Sequence, residues 1–144
     1  LDKRGADALV LFNRFLQPTI EVETEALHNE MVLSTAHELK LPLRWIALLH
    51  GRIKADLVIT TGVHSGQDAI RALLGGATVV QLASTLLKHG IPYISTILRD
   101  LEAWMAEKGY DSVDEFRGKV SQKNCDDPFG FERAQYVRLL LSQA

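Results

Sequence analysis

The chain has 144 residues, 47% of them hydrophobic and 24% charged, with a net charge of −2 at pH 7 and a single cysteine. That balance describes an ordinary globular protein with no basic patch for nucleic acid. No apolar run approaches the ~18 residues of a membrane helix, and the start lacks a signal-peptide pattern, so the reading excludes a membrane partner. One cysteine allows no internal disulfide and fits a cytoplasmic protein.

Along the chain, Ala8 to Phe12 reads as a short apolar strand that ends at Asn13. Between Gln17 and Val32 the carboxylates Glu21, Glu23, Glu25 and Glu30 recur without a clear period, which predicts a surface loop or hairpin rather than an acidic site. Pro42 suits the first turn of a helix through Leu43, Ile46 and Leu49 to a Gly51 stop, with Trp45 directed outward or onto a neighbour.

From Asp56 to Gly90 two strand-to-helix units follow one another. Leu57-Val58-Ile59 is a branched apolar run leading into Thr60-Thr61-Gly62-Val63-His64-Ser65-Gly66. Ser65 stands three residues before Asp68, a capping-box spacing, and opens a helix through Ile70, Leu73 and Leu74 that stops at Gly75-Gly76. Thr78 to Leu82 repeats the strand, Ala83-Ser84-Thr85 the turn, and Leu86 to Gly90 a short helix. Two such units in series predict an α/β fold with a parallel sheet. Pro92 then opens the longest helix, with Ile94, Ile97, Leu98, Leu101, Trp104 and Met105 as its core stripe and Gly109 past its end. Ser112 to Phe116 reads as a short capped helix, and a last one runs from about Pro128 to Leu141, burying Phe131, Ala134, Val137 and Leu140.

Small residues at a strand-to-helix turn let an anion approach backbone N–H groups, which makes Gly62 and Ala83-Ser84 a candidate pair of phosphate-binding turns. The same residues also serve plain tight turns, and spacing alone leaves both readings open. Cys125 lies in the polar loop Lys123-Asn124-Cys125-Asp126-Asp127, where acidic neighbours disfavour a thiolate. His28, His37, His50, His64 and His89 show no metal-ligand spacing, so no metal site is expected. His64 follows Gly62-Val63 and reads either as a surface loop histidine or as a group near the phosphate turn.

The run TGVHSGQDAIRALLGGATVVQLASTLLKHG and the later EAWMAEKGYDSVDEFRGKVS resemble the C-terminal part of the dihydroorotate dehydrogenase family of flavin-dependent barrels, over about Gly5 to Ser121. The resemblance implies part of a (β/α)8 TIM barrel within one domain, with the last three β/α units over 1–90 and extra C-terminal helices over 92–144. The N-terminal half is then absent, since such a barrel typically needs about 250 residues.

The family holds the phosphate of FMN at the turns after its seventh and eighth strands. They correspond here to Thr61-Gly62-Val63 and Ala83-Ser84, each with one glycine lost. The resemblance therefore implies FMN as cofactor, with Ala83 still able to present its N–H and Thr61 adding a hydroxyl donor. Ser34, in Ser34-Thr35-Ala36-His37, stands where the family has a glycine-rich flavin contact. Asn13 matches the family's substrate-contacting asparagine, although read without the family it closes a turn with its own backbone. Arg14-Phe15 departs from the family's Ser or Thr.

The expectation is thus the C-terminal half of an FMN-dependent oxidoreductase of pyrimidine-biosynthesis type, acting on CH–CH bonds of a small planar substrate. The catalytic base is expected in the absent half, so this piece alone is inactive, and a homo-oligomer is expected. Two other readings stay open. One is a barrel enzyme binding a phosphorylated ligand without flavin. The other is a non-catalytic half-barrel that self-associates through open strand edges and exposed barrel-interior positions such as Leu57, Ile59 and Leu82.

Overall fold

A computed structural model describes residues 1–14, 18–126 and 128. Three strands, β1 (Ala8–Leu11), β4 (Asp56–Ile59) and β5 (Val79–Val80), form a parallel sheet in the order β1-β4-β5. Leu9 pairs with Leu57, Leu11 with Ile59, and Ile59 with Val80. The acid-rich segment folds as an exposed antiparallel hairpin of β2 (Thr19–Glu21) and β3 (Ala26–His28), with Ile20 opposite Leu27.

Strand register decides which face meets the helices. Side chains alternate along a strand, so Leu9, Leu11, Leu57, Ile59 and Val80 share one face while Val10, Val58 and Val79 share the other. Leu57 and Ile59 are 3% and 0% exposed and pack with Ile46, Ala69, Ala72 and Ile97 in the core. Leu82 packs against the same cluster. The expectation that these three stand exposed toward a barrel interior is therefore off by one residue of register. The open face instead carries Val10 and Val79, which are 50% and 46% exposed.

Helix α1 (Lys40–Leu49) has Pro42 in its first turn, and a 3₁₀ turn over Ala36–Leu39, closed by a capping box of Thr35 and Glu38, leads into it. Trp45 is partly exposed and meets Phe12 edge-on, with ring centroids 6.3 Å apart. Helix α2 (Gly66–Gly75) starts where the spacing predicts: Ser65 Oγ accepts from Asp68 N at 3.2 Å, and the Ser65 hydroxyl donates to the Asp68 carboxylate at 2.9 Å. It ends at Gly76, whose φ of 114° suits glycine; a Cβ there would meet the His50 ring at 2.4 Å.

Strand β5 is shorter than the Thr78–Leu82 reading, because only its β4-facing side finds a partner among the described residues. Thr78 N and Gln81 N still donate to Leu57 O and Ile59 O, at 2.7 and 2.9 Å. Helix α3 (Ser84–His89) begins two residues earlier than read, and α4 (Tyr93–Lys108) packs on α2. Of the α4 stripe only Ile97 is buried and joins the core cluster; Leu98 is exposed and the others are half-buried. Trp104 instead joins Tyr110 and the fully buried Phe116 in an aromatic cluster. Ser112 and Glu115 form the capping box read for the short helix. Phe15 and nearly all of the last helix read in the sequence lie outside the described residues.

Candidate anion-binding site at the strand ends

Parallel strands bring their C-terminal ends to one edge, where the connecting turns form a crevice. Here Asn13 follows β1, Thr60 to Val63 follow β4, and Gln81, Ala83, Ser84 and Thr85 follow β5. With Arg14 and Ser34 they line one pocket of about 100 Å³. The seven residues that the resemblance gives to cofactor and substrate all line it: Asn13, Ser34, Thr61, Gly62, Val63, Ala83 and Ser84; His64 does not.

The two turns differ in how they tolerate a missing glycine. Thr61 has φ 73°, a left-handed conformation costly for a β-branched residue, and its hydroxyl donates to the Phe12 carbonyl at 3.0 Å. That hydroxyl has only one proton, so Thr61 is not the extra donor to a ligand that the sequence suggested. Gly62 has φ 83°, and a Cβ there would lie 2.3 Å from the backbone nitrogen of Leu39. Ala83 has φ −126°, ordinary for an L-residue, so glycine is not needed there. Among the described residues nothing accepts from the backbone N–H groups of Gly62, Val63, Ala83 and Ser84.

A polar wall closes the far side. Ser34 N donates to Ser84 Oγ at 3.0 Å, leaving the Ser84 hydroxyl proton available, and Lys88 Nζ donates to Ser34 O at 2.8 Å. Behind the wall, His64 Nε2 lies 3.1 Å from Ser34 Oγ and Nδ1 lies 3.2 Å from Thr85 Oγ1. Thr85 is buried and donates to the Val63 carbonyl. Burial first, and then the Lys88 charge, hold the His64 pKa below its ordinary value of 6.5. Opposite, Arg14 Nε donates to Glu38 Oε1 at 2.7 Å, and Thr35 N donates to Glu38 Oε2 at 2.7 Å. The Thr35 backbone bond is the main cause that lowers the Glu38 pKa below 4.5, aided by Arg14.

Asn13 is exposed and its side chain makes no hydrogen bond among the described residues; Phe15, whose backbone a turn-closing Asn13 would bond, lies outside them. It also borders a second, largely apolar groove of about 600 Å³ lined by Phe12, Leu41, Pro42 and Trp45. Among the described residues no group of three or more His, Cys, Asp or Glu is placed to hold a metal, and no helix is long and apolar enough to cross a membrane. Sequence reasoning left Thr85, Lys88 and Arg14 without a role. Thr85 was visible as the third residue of the second turn, whereas Lys88 and Arg14 reach the site only through the fold.

The family model described as Dihydroorotate dehydrogenase matches residues 7–105. Over 65 residues the chain is 44% identical to probable dihydroorotate dehydrogenase A (fumarate) of Streptococcus pneumoniae, covering 45% of this chain and 21% of that protein. Over 78 residues it is 38% identical to dihydroorotate dehydrogenase (fumarate) of Saccharomyces bayanus, covering 53% of this chain and 25% of that one. The fold superposes with a TM-score of 0.65 on 81% of this chain and 32% of the Eimeria tenella dihydroorotate dehydrogenase crystallised with ferulenol, at 16% identity. A ligand-free structure of the Eimeria tenella enzyme gives 0.62 at 17% identity, over 81% of this chain and 33% of that one.

An α/β fold with a parallel sheet and turns gathered at its C-terminal edge is the class these features define. The chain belongs to the dihydroorotate dehydrogenase family. It spans about a quarter or less of the length of the curated relatives it matches.

Proposed function

We propose that this chain is the C-terminal part of an FMN-dependent oxidoreductase of dihydroorotate type, built on a (β/α)8 barrel, and that it supplies the cofactor's phosphate grip. The observation that carries the reading is that Gly62, Val63, Ala83 and Ser84, whose backbone N–H groups find no acceptor among the described residues, all line one small pocket. Such donors match a phosphate's oxygens, and the uncommitted Ser84 hydroxyl adds a further one. The phosphate end of FMN therefore fits the residues present. When bound, the flavin supplies the hydride-accepting ring.

The chain's own part is positional. Gly62 keeps the first turn tight against Leu39, Ser34 and Lys88 pin the second turn to the wall, and Asn13 offers an amide to a small planar substrate. No residue here is assigned as the catalytic base, which this reading places in the N-terminal half of the parent, so the piece alone is inactive. The relatives' names carry fumarate, which makes fumarate the candidate electron acceptor, in a cytoplasmic protein of pyrimidine biosynthesis. Val10 and Val79 on the open sheet face are the positions through which this piece would associate with a second copy.

Titrating the chain with FMN and following flavin fluorescence tests the reading. Saturable quenching that Ala83→Asp abolishes is expected, because a carboxylate at this exposed, unstrained position opposes the phosphate charge. Gly62→Glu is unsuitable, since its Cβ would strike backbone. Loss of one family glycine to Thr61 favours a second reading, a phosphorylated ligand without flavin. Protection against unfolding by a sugar phosphate but not by FMN distinguishes it.

A further inference from the structure

The Thr85 hydroxyl is 1% exposed and gives its one proton to the Val63 carbonyl. Its oxygen also lies 3.2 Å from His64 Nδ1, and with the hydroxyl proton committed, only Nδ1–H can donate across that contact. A neutral imidazole protonated on Nδ1 has a bare Nε2, which stands 3.1 Å from Ser34 Oγ and accepts the Ser34 proton. Ser34 is 4% exposed and lines the anion pocket, so in this state it offers a ligand lone pairs alone.

We infer that His64 is a positioning residue for this pocket: on taking a proton from solvent at Nε2 it donates to Ser34 Oγ, and the Ser34 hydroxyl turns to donate to a bound oxyanion. The inference rests on reading the pocket as an anion site. It makes anion binding and proton uptake reciprocal, each favouring the other.

The groups facing His64 set the balance. From α3, Lys88 and His89 oppose its protonation. From α2, Asp68 favours it; its carboxylate accepts the His64 backbone N–H at 3.1 Å and pairs with Arg71 at 2.8 Å. From α4, the Tyr93 hydroxyl donates to the His64 carbonyl at 3.4 Å; from the segment before α1, Ser34 approaches the ring through its hydroxyl and also through its backbone, whose hydrogen bond favours the charged ring. Burial holds the ring neutral, and an oxyanion beside Ser34 supplies the negative charge that reverses this.

The test is NMR of the His64 ring and of the pocket amides in the full chain, from about pH 5 to about pH 8, across the ordinary histidine range. The probe is inorganic sulfate, which does not titrate there, against chloride at equal ionic strength. The neutral ring is expected as the Nδ1–H tautomer, with a pKa that rises in sulfate and not in chloride. Sulfate affinity is expected to grow as pH falls, by at most about tenfold per pH unit for one proton.

His64→Gln should still show sulfate shifts at Gly62 and Ser84, now flat with pH, and Ser34→Ala should lose most of the pH-dependent gain. A neutral ring protonated on Nε2 overturns the inference, as does sulfate that moves the pocket amides and leaves the His64 titration in place. Sulfate that moves neither overturns the anion reading and this inference together. If His64→Gln does not fold, the comparison of sulfate with chloride on the unsubstituted chain still decides.

Discussion

The Thr61 hydroxyl donates to the Phe12 carbonyl across 3.0 Å and ties the end of β4 to the end of β1, while the Thr61 backbone sits at φ 73°. One bond thus holds a β-branched residue in a conformation that favours glycine. Thr61→Gly removes both the strain and the bond, which are each on the order of 1 kcal/mol, and should leave stability nearly unchanged. Thr61→Ala keeps the strain and loses the bond, and should cost about 1 kcal/mol or more. Urea unfolding of the pair decides; an alanine variant more stable than the glycine one contradicts the account.

Gly62 and Gly109 make a matched test of close packing. Both have positive φ, but a Cβ at Gly62 would press on the Leu39 and Glu38 backbone, whereas nothing lies within 4 Å of one at Gly109. Gly109→Ala should cost about 1 kcal/mol from conformation alone, and Gly62→Ala at least about 2 kcal/mol more. Equal losses in thermal unfolding would show that the Leu39 contact is not rigid.

Glu38 gives a pH dependence with a definite sign. Its folded pKa lies below 4.5, so its stabilisation is fully present above 4.5 and disappears as pH falls through the folded value. The stability gap between the unsubstituted chain and Glu38→Gln should therefore be widest above about pH 5 and close in more acidic solution. A gap that stays constant on acidification would mean that the Thr35 and Arg14 contacts do not favour the charged form.

The sheet faces are tested by truncation. Ile59→Ala empties core space and should cost about 2–5 kcal/mol, whereas Val79→Ala on the open face should cost under about 1 kcal/mol. The reverse ranking in denaturant melts would restore the assignment of Ile59 to an exposed interior.

Much of the candidate site was legible because its residues punctuate the pattern. Gly62, Ala83 and Ser84 interrupt apolar runs at the strand ends, and strands of one parallel sheet bring those ends together. Which face of Leu57-Val58-Ile59 meets the helices was not legible, since a continuous apolar run has no alternation to read. Nor was the left-handed backbone of Thr61, which neighbouring structure imposes against local preference. The Ser34, His64 and Thr85 contacts span 30 and 21 residues of sequence, and the choice between a surface loop and the phosphate turn for His64 depended on tertiary packing around its ring.

The proposed phosphate grip requires the two strand-end turns to act together. The most direct measurement is the backbone amide shift of Gly62, Val63 and Ser84 during titration with FMN, compared with Ala83→Asp. The three amides are expected to move together and saturate at one ligand concentration, and the substitution to leave all of them still. Saturable FMN binding that moves amides elsewhere and spares these three would contradict it.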